Sequence, residues 1–212
     1  MADIFREIDD ELQQERAAKL WQRYGGWLIA LAVGIVLAVA GNVFWTRYNA
    51  DLQADRGDRY EAAAALVEAG QAREGAAAFG SLADDAGAGY ATIARMRQAT
   101  ALAEAGDTDG AVEALRAVAA GAVAPYGDLA RIWAVRLRIG KAEATTLIEE
   151  LAPALAAGNP WRPLAVETEA ALRLQAGETD RAAELYKTLA DDTATPGLLR
   201  ARATEMVRAL GG

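Results

Sequence analysis

The sequence predicts an all-α protein: one membrane-spanning helix, then a solenoid of about four helix-turn-helix repeats closed by a C-terminal capping helix. Three observations carry this reading. Of 212 residues 53 are Ala, against 5 Pro and 3 Phe, and so strong a helix former with so few aromatics suits closely packed helices better than a sheet. Residues 24–46 contain no Asp, Glu, Lys or Arg, although charges are spread through the rest of the chain. Glycines then recur at Gly70, Gly106, Gly140 and Gly177, with spacings of 36, 34 and 37 residues, a period typical of stacked helical pairs.

Residues 1–23 read as a cytoplasmic amphipathic helix. Ile4, Phe5, Ile8 and Leu12 share one face, and Asp3 is placed to accept from the orphan amides of the first turn. Residues 24–46 follow as the transmembrane helix. Their 23 residues, at about 1.5 Å each, cover roughly 34 Å, enough for a hydrocarbon core of about 30 Å. Trp21, Tyr24 and Trp27 stand at one end and Phe44, Trp45 and Tyr48 at the other, which sets amphipathic rings at both headgroup levels. Arg16, Lys19 and Arg23 precede the span and only Arg47 follows it closely, so the N-terminus is expected in the cytoplasm and residues 47–212 on the far side of the membrane, which in a bacterium is the periplasm. A cleaved signal peptide is the rival, since Ala38-Val39-Ala40 precedes Gly41; the acidic leading region, with Asp3, Glu7, Asp9, Asp10, Glu11 and Glu15, opposes it. Within the span Ala30, Gly34, Ala38 and Asn42 recur every four residues on one face. Small residues let two helices approach and an amide in lipid seeks a partner, so this is the expected transmembrane partner face.

In residues 47–212 the copies agree beyond their glycines. AGDTD at 105–109 nearly repeats as AGETD at 176–180. A small residue follows the glycine by five positions, at Gly75, Ala111 and Ala182, and a large apolar one by nine, at Phe79, Leu115 and Tyr186. The third copy fits after a one-residue deletion, with Ala144, Ile148, Leu151 and Ala152. Each unit is then a helix, a turn opened by glycine in the left-handed conformation, and a second helix. Thr108 or Asp109, and Thr179 or Asp180, are expected to cap the second helix, and Pro125, Pro160 and Pro196 to stop it. Residues 201–210 continue as the capping helix.

The glycine, the small residue at +5, the large apolar residue at +9 and the period resemble the tetratricopeptide repeat, although the small residue of the motif at +12 is replaced by Leu82, Val118, Leu151 (after the deletion) or Leu189. The whole layout, MADIFREIDDELQQERAAKLWQRYGGW leading into one span and then about 165 residues of repeats, resembles the YfgM-type tetratricopeptide-like proteins of the bacterial inner membrane. That resemblance implies an ancillary subunit of the SecYEG translocon that links exported proteins to periplasmic chaperones. A scaffold for another envelope assembly, such as cytochrome maturation or division, has the same architecture, as does a soluble periplasmic repeat protein released at Ala40.

Composition excludes most chemistry. The chain has no His and no Cys, and Ser81 is its only serine, which removes zinc sites, disulfides, imidazole bases and Ser/His or Cys/His nucleophiles. The 22 basic residues against 30 acidic ones leave a net charge of −8, unsuited to nucleic-acid phosphates. Asp107-Thr108-Asp109-Gly110 opens like a calcium loop, but position twelve is Val118. The pairs Asp84-Asp85, Glu149-Glu150 and Asp191-Asp192 fall near the ends of second helices and read as solvated termini. The expectation is a non-enzymatic scaffold for protein partners, with no cofactor, metal ion or small-molecule substrate.

The resemblance to tetratricopeptide arrays also selects a groove from first-helix positions before each glycine. It picks Tyr60, Ala64 and Val67; Ile93, Met96 and Thr100; Ala130, Ala134 and Leu137; and Leu164, Glu167, Ala171 and Leu174. Such a lining is mostly small and apolar, which favours an apolar polypeptide or another helix over an acidic tail. Trp133 and Trp161 are expected to pack between repeats.

Overall fold

A computed structural model describes residues 2–121 and 125–211, with side-chain surroundings from Trp21 onward except at Leu28 and Ala88. The chain divides into two units, residues 1–55 and 56–212, and the first helix, α1 (Ala2–Glu68), contributes to both.

In the first unit the backbone is helical from Ala2 onward. The side chains of Asp3, Ile4, Phe5, Ile8 and Leu12 lie outside the described residues. From Trp21 the helix is long and apolar enough to cross a membrane, and none of its most apolar window is buried. Trp27 is 79% exposed and Leu37 67%. Phe44 and Tyr48 stack one turn apart with ring centroids 6.5 Å apart. The Thr46 hydroxyl donates back to the Asn42 and Val43 carbonyls at 2.9 and 3.0 Å, so it needs no partner from outside the helix.

The second unit begins with the end of α1, residues 56–68. There follow α2 (Ala72–Asp85), α3 (Ala88–Glu104), α4 (Thr108–Gly121), α5 (Tyr126–Arg136), α6 (Ala144–Leu151), a 3-10 turn (Ala152–Leu155), α7 (Arg162–Gln175), α8 (Thr179–Asp191) and α9 (Gly197–Ala209). No strand occurs among the described residues. The helices pair as the repeat copies require, and α9 closes the array.

The four repeat glycines all adopt left-handed backbone, with φ of 80°, 81°, 76° and 78°. A side chain there would cost about 1–2 kcal/mol. In the first, second and fourth copies the next amide reaches five residues back: Gln71 to Leu66, Asp107 to Leu102 and Glu178 to Arg173, at 2.8 to 2.9 Å. These bonds satisfy carbonyls that the helix end leaves free. The third turn closes differently. There α5 ends at Arg136, and Gln175 of α7 holds the loop by accepting from the Gly140 amide at 2.9 Å and donating to the Ala142 carbonyl at 2.8 Å.

Two details differ from expectation. Asp107, one residue earlier than expected, caps α4 by accepting from the Gly110 amide at 3.0 Å, while the Thr108 hydroxyl accepts from the Lys141 ammonium at 2.8 Å. At α8 the cap position is Glu178, which makes no capping bond and pairs with Arg173 instead. Pro125 and Pro196 stand at the cap positions of α5 and α9, and Pro196 lies well past the end of α8 at Asp191, so it opens a helix rather than stops one. A proline does end α6, after eight residues: Pro153, in the first turn of the 3-10 segment.

Packing follows the repeat. Phe79, Leu115, Ala111 and Ala182 are buried, as is the ring of Tyr186. In the third copy Leu147 takes the core place expected for Ile148, which is only partly buried. Ala99, Ala111, Leu115, Val118 and Ala130 join α3, α4 and α5. Ile132, Val135, Leu147, Leu151, Ala165 and Leu172 join α5, α6 and α7. Val166, Ala170, Tyr186, Leu189, Leu199 and Ala203 join α7, α8 and α9. Each helix pair is therefore covered by the next, as a repeat array requires. Trp161 locks two copies together through its indole N–H, which donates to the Pro125 carbonyl at 2.8 Å.

Candidate partner-binding groove

Four hollows follow one another along the second unit, and adjacent ones share a residue. The first, about 110 Å³, lies among Ala64, Val67, Glu68, Arg97, Thr100 and Glu104 over Phe79. Thr100 also lines the second, about 270 Å³, with Ala99, Ala103, Trp133, Arg136 and Leu137 over Leu115. Arg136 passes on to the third, about 340 Å³, formed with Ile139, Glu167, Thr168, Ala171, Tyr186, Arg202, Glu205 and Met206. Arg202 borders the fourth, about 270 Å³, among Pro160, Trp161, Pro163, Leu164, Pro196, Leu198 and Leu199. The lining comes mainly from the first helix of each copy and from α9. Second helices contribute only buried floor residues: Phe79, Leu115 and Tyr186.

The groove residues selected from the sequence fall into three groups. Ala64, Val67, Thr100, Leu137, Glu167 and Ala171 line the first three hollows, and Leu164 lines the fourth. Tyr60, Met96, Ala130, Ala134 and Leu174 pack instead. Tyr60 sits edge-on to Phe79 at 5.2 Å and its hydroxyl accepts from the Arg97 guanidinium at 2.7 Å. Met96 and Leu174 lie against buried clusters, and Ala130 and Ala134 are within one. Ile93 is exposed outside the hollows. In the first unit Ala30, Gly34, Ala38 and Asn42 are all exposed, and nothing lies within 4 Å of where a Gly34 side chain would start.

The lining also contains residues the motif positions did not select: Arg97, Trp133, Arg136, Arg202 and Glu205. Trp133, expected to pack between repeats, is 36% exposed at the second hollow. Arg136 is carried into the groove where α5 ends early. Arg202 belongs to α9, outside the four copies, so a repeat count could not assign it.

The electrostatic centre of the groove is Glu167, whose side chain is 12% exposed. It accepts from Arg136 of α5 at 3.2 Å and from two nitrogens of Arg202 of α9 at 2.9 and 3.0 Å. One carboxylate thus holds two guanidiniums and ties three helices together. Its hydrogen bonds raise the already high pKa of Arg202. Beside it, burial pushes the Tyr186 phenol up, with the Glu167 charge adding to the shift and Arg136 opposing it. Tyr186 is 4% exposed and lines the third hollow.

Elsewhere, of the charged pairs noted in the sequence, Asp84, Asp85 and Glu150 have arginine partners. Asp84 binds Arg95 at 2.7 Å and Asp85 binds Arg59 at 2.9 Å. Glu150 accepts from Arg138 and, at 3.3 Å, from Arg116. The Arg138 hydrogen bond, more than burial opposes it, lowers the Glu150 pKa below its ordinary 4.5.

No curated protein and no solved structure matches the chain. A family match covers residues 18–206, taking in the apolar helix as well as the repeats. Domains of that family are typically non-enzymatic and serve as scaffolds for protein–protein interaction. With its paired helices, glycine turns and interlocking cores, the chain belongs to the tetratricopeptide repeat-like domain family.

Proposed function

We propose that this protein is a single-pass scaffold of the bacterial inner membrane, with its N-terminus in the cytoplasm, residues 24–46 in the bilayer and residues 47–212 in the periplasm. Its groove holds extended polypeptide segments of protein partners. The observation that carries this reading is the series of hollows along the repeats, each sharing a lining residue with the next. Hollows spread over several repeats suit a chain better than a compact small molecule. The exposed apolar helix supplies the anchor, and the excess of Lys and Arg before it supplies the orientation. The face of Ala30, Gly34, Ala38 and Asn42 then rests against another membrane protein. From the architectural resemblance we take the finer role to be that of an ancillary SecYEG subunit passing exported chains to periplasmic chaperones.

Gentle detergent extraction of the tagged protein, mass spectrometry of what accompanies it and determination of its N-terminal residue test this directly. Translocon subunits and chaperones, together with a Met1 or Ala2 end, are the expected result. A Gly41 end without a membrane partner would overturn both anchor and role. Orientation is read separately, because the chain has no Cys: single cysteines at Ala2 and Ala209 should differ in their reaction with an impermeant maleimide, only the latter reacting once the outer membrane is opened.

A further inference from the structure

We infer that the end of the second unit opposite its glycine turns is a lipid-contact surface, which rests Tyr126, Pro160 and Leu198 on zwitterionic headgroups of the bilayer. The inference rests on the reading of residues 24–46 as a membrane span and goes beyond it.

Helix direction separates the two ends of the array. Each first helix runs to a repeat glycine and each second helix runs back. The glycine turns therefore gather at one end, where Lys141 donates to Thr108 and Gln175 accepts from the Gly140 amide. The connections between copies gather at the other. There Arg59 of α1 binds Asp85 beside the first connection, the Trp161 indole donates to the Pro125 carbonyl, and Pro160 shares a hollow with Pro196 and Leu198. Arg59 also marks this as the end at which the chain enters the unit.

The two ends differ in chemistry. The residue after each repeat glycine is exposed and polar: Gln71, Asp107, Lys141 and Glu178. At the opposite end Pro125 is followed by Tyr126, 48% exposed, and Pro196 by Gly197 and then Leu198, 73% exposed. Pro160 and Pro196 are exposed beside them. A tyrosine has an apolar body and a polar tip, which suits the headgroup layer, where one side is wet and the other is not. Nearby charges are mostly turned inward. Asp84 and Asp85 bind Arg95 and Arg59, Asp128 accepts from the Asn159 amide at 2.8 Å, and Arg162 donates to the Leu155 carbonyl at 3.2 Å. Asp58 and Asp191 stay exposed, which opposes an anionic surface and favours headgroups that are neutral overall.

Chain length selects lipid as the occupant. Only residues 47–55 separate the uncharged run from the second unit, and even fully extended, at about 3.5 Å each, they reach roughly 30 Å. The end at which the chain enters is thereby kept beside the bilayer, at an effective concentration that no freely diffusing partner matches. Interfacial binding grows with the apolar area buried, so a patch too small to hold a free protein on a membrane suffices for one already tethered there.

The test uses the full chain in phosphatidylcholine nanodiscs that contain lipid spin-labelled on either the headgroup or the acyl chain. Because the chain has no Cys, single cysteines at Val36, Asp109 and Ala157 can each carry an environment-sensitive dye. Val36 reports the span, Asp109 the glycine-turn end, and Ala157, exposed close to Pro160, the opposite end. Headgroup spin label should quench the dye at position 157 and leave that at 109 bright. Tyr126→Glu combined with Leu198→Glu should abolish the quenching at 157, with the thermal melt unchanged because both side chains are exposed; serines replace the glutamates if the melt moves. Added phosphatidylglycerol should weaken the quenching, and a strengthening would overturn the zwitterionic assignment. Equal quenching at 157 and 109, or quenching at 157 that survives the double variant, overturns the lipid contact while leaving the span. A dye at Val36 that acyl-chain spin label does not quench overturns the span and this inference with it. Disulfide cross-linking of Ala157→Cys between two copies in one disc, without lipid quenching, would assign the surface to a second copy and overturn the lipid contact.

Discussion

Replacing Gly75 with Ala tests how the first repeat is held together. In the three other copies the corresponding residue is Ala111, Ala144 or Ala182, each buried without difficulty. A helix interior ordinarily gains about 1 kcal/mol when Gly becomes Ala. In the first copy, however, a Cβ on Gly75 would stand 2.4 Å from Val67 Cγ2, 3.1 Å from the Ala63 carbonyl oxygen and 3.2 Å from the Val67 amide nitrogen. The closest atom belongs to a β-branched side chain with essentially one rotamer in a helix, and the other two are backbone. Neither can give way locally, so α1 and α2 must move apart. Overpacking of this kind costs about 1–3 kcal/mol, which outweighs the propensity gain and leaves a net loss of roughly 1 kcal/mol. For a domain of this size that lowers the melting temperature by about 2–4 °C. Thermal melts of the wild type, Gly75→Ala, Val67→Ala and the double variant form a cycle. Most of the Gly75→Ala loss should vanish in the Val67→Ala background, where the nearest clash is gone. A Gly75→Ala protein that melts at or above wild type, or a penalty independent of Val67, would refute the close crossing of these helices.

Three further outcomes are expected. Glu150→Gln should lower stability near neutral pH by about 1 kcal/mol or less, since the carboxylate is partly solvated. Because Arg138 and Arg116 hold the folded Glu150 pKa below 4.5, this contribution is present above the unfolded value and lost as pH falls through the lower, folded one; a melting deficit that stays constant into strong acid would show the pair to be irrelevant. Trp133→Ala should weaken partner binding with helicity retained, whereas Met96→Glu and Leu174→Glu should lower the melting temperature because both side chains pack on buried clusters; circular dichroism and co-purification separate the two effects, and unchanged binding by Trp133→Ala would remove the second hollow from the site. Gly34→Leu should release a membrane partner on detergent extraction without disturbing this chain, as nothing in it lies within 4 Å of the added Cβ position; an undiminished complex would sink the proposed partner face.

Local order was readable from the sequence because it depends on near neighbours. An uncharged run of 23 residues has to be a long apolar helix. Glycines at a period near 35 mark helix ends, since only glycine enters the left-handed turn cheaply. The small residue at +5 and large one at +9 follow from the faces that paired helices bury. Val67, Leu137 and Glu167, picked by their distance to those glycines, accordingly line hollows between helices.

Tertiary structure decided what depends on several copies at once. The third turn relies on Gln175, a side chain 35 residues from Gly140, and α6 stops at Pro153, so the register there follows the packing rather than the repeat. Tyr60 and Met96 share the groove residues' spacing, yet they pack because the neighbouring copy covers them. Conversely, Arg136 and Arg202 reach the groove because one helix ends early and the other lies outside the repeat. Glu167 was visible in the sequence as one acidic residue among apolar ones. Its two arginines arrive from positions 31 and 35 residues away. Periodicity describes one helix at a time, whereas a site charged from three helices exists only when they are stacked.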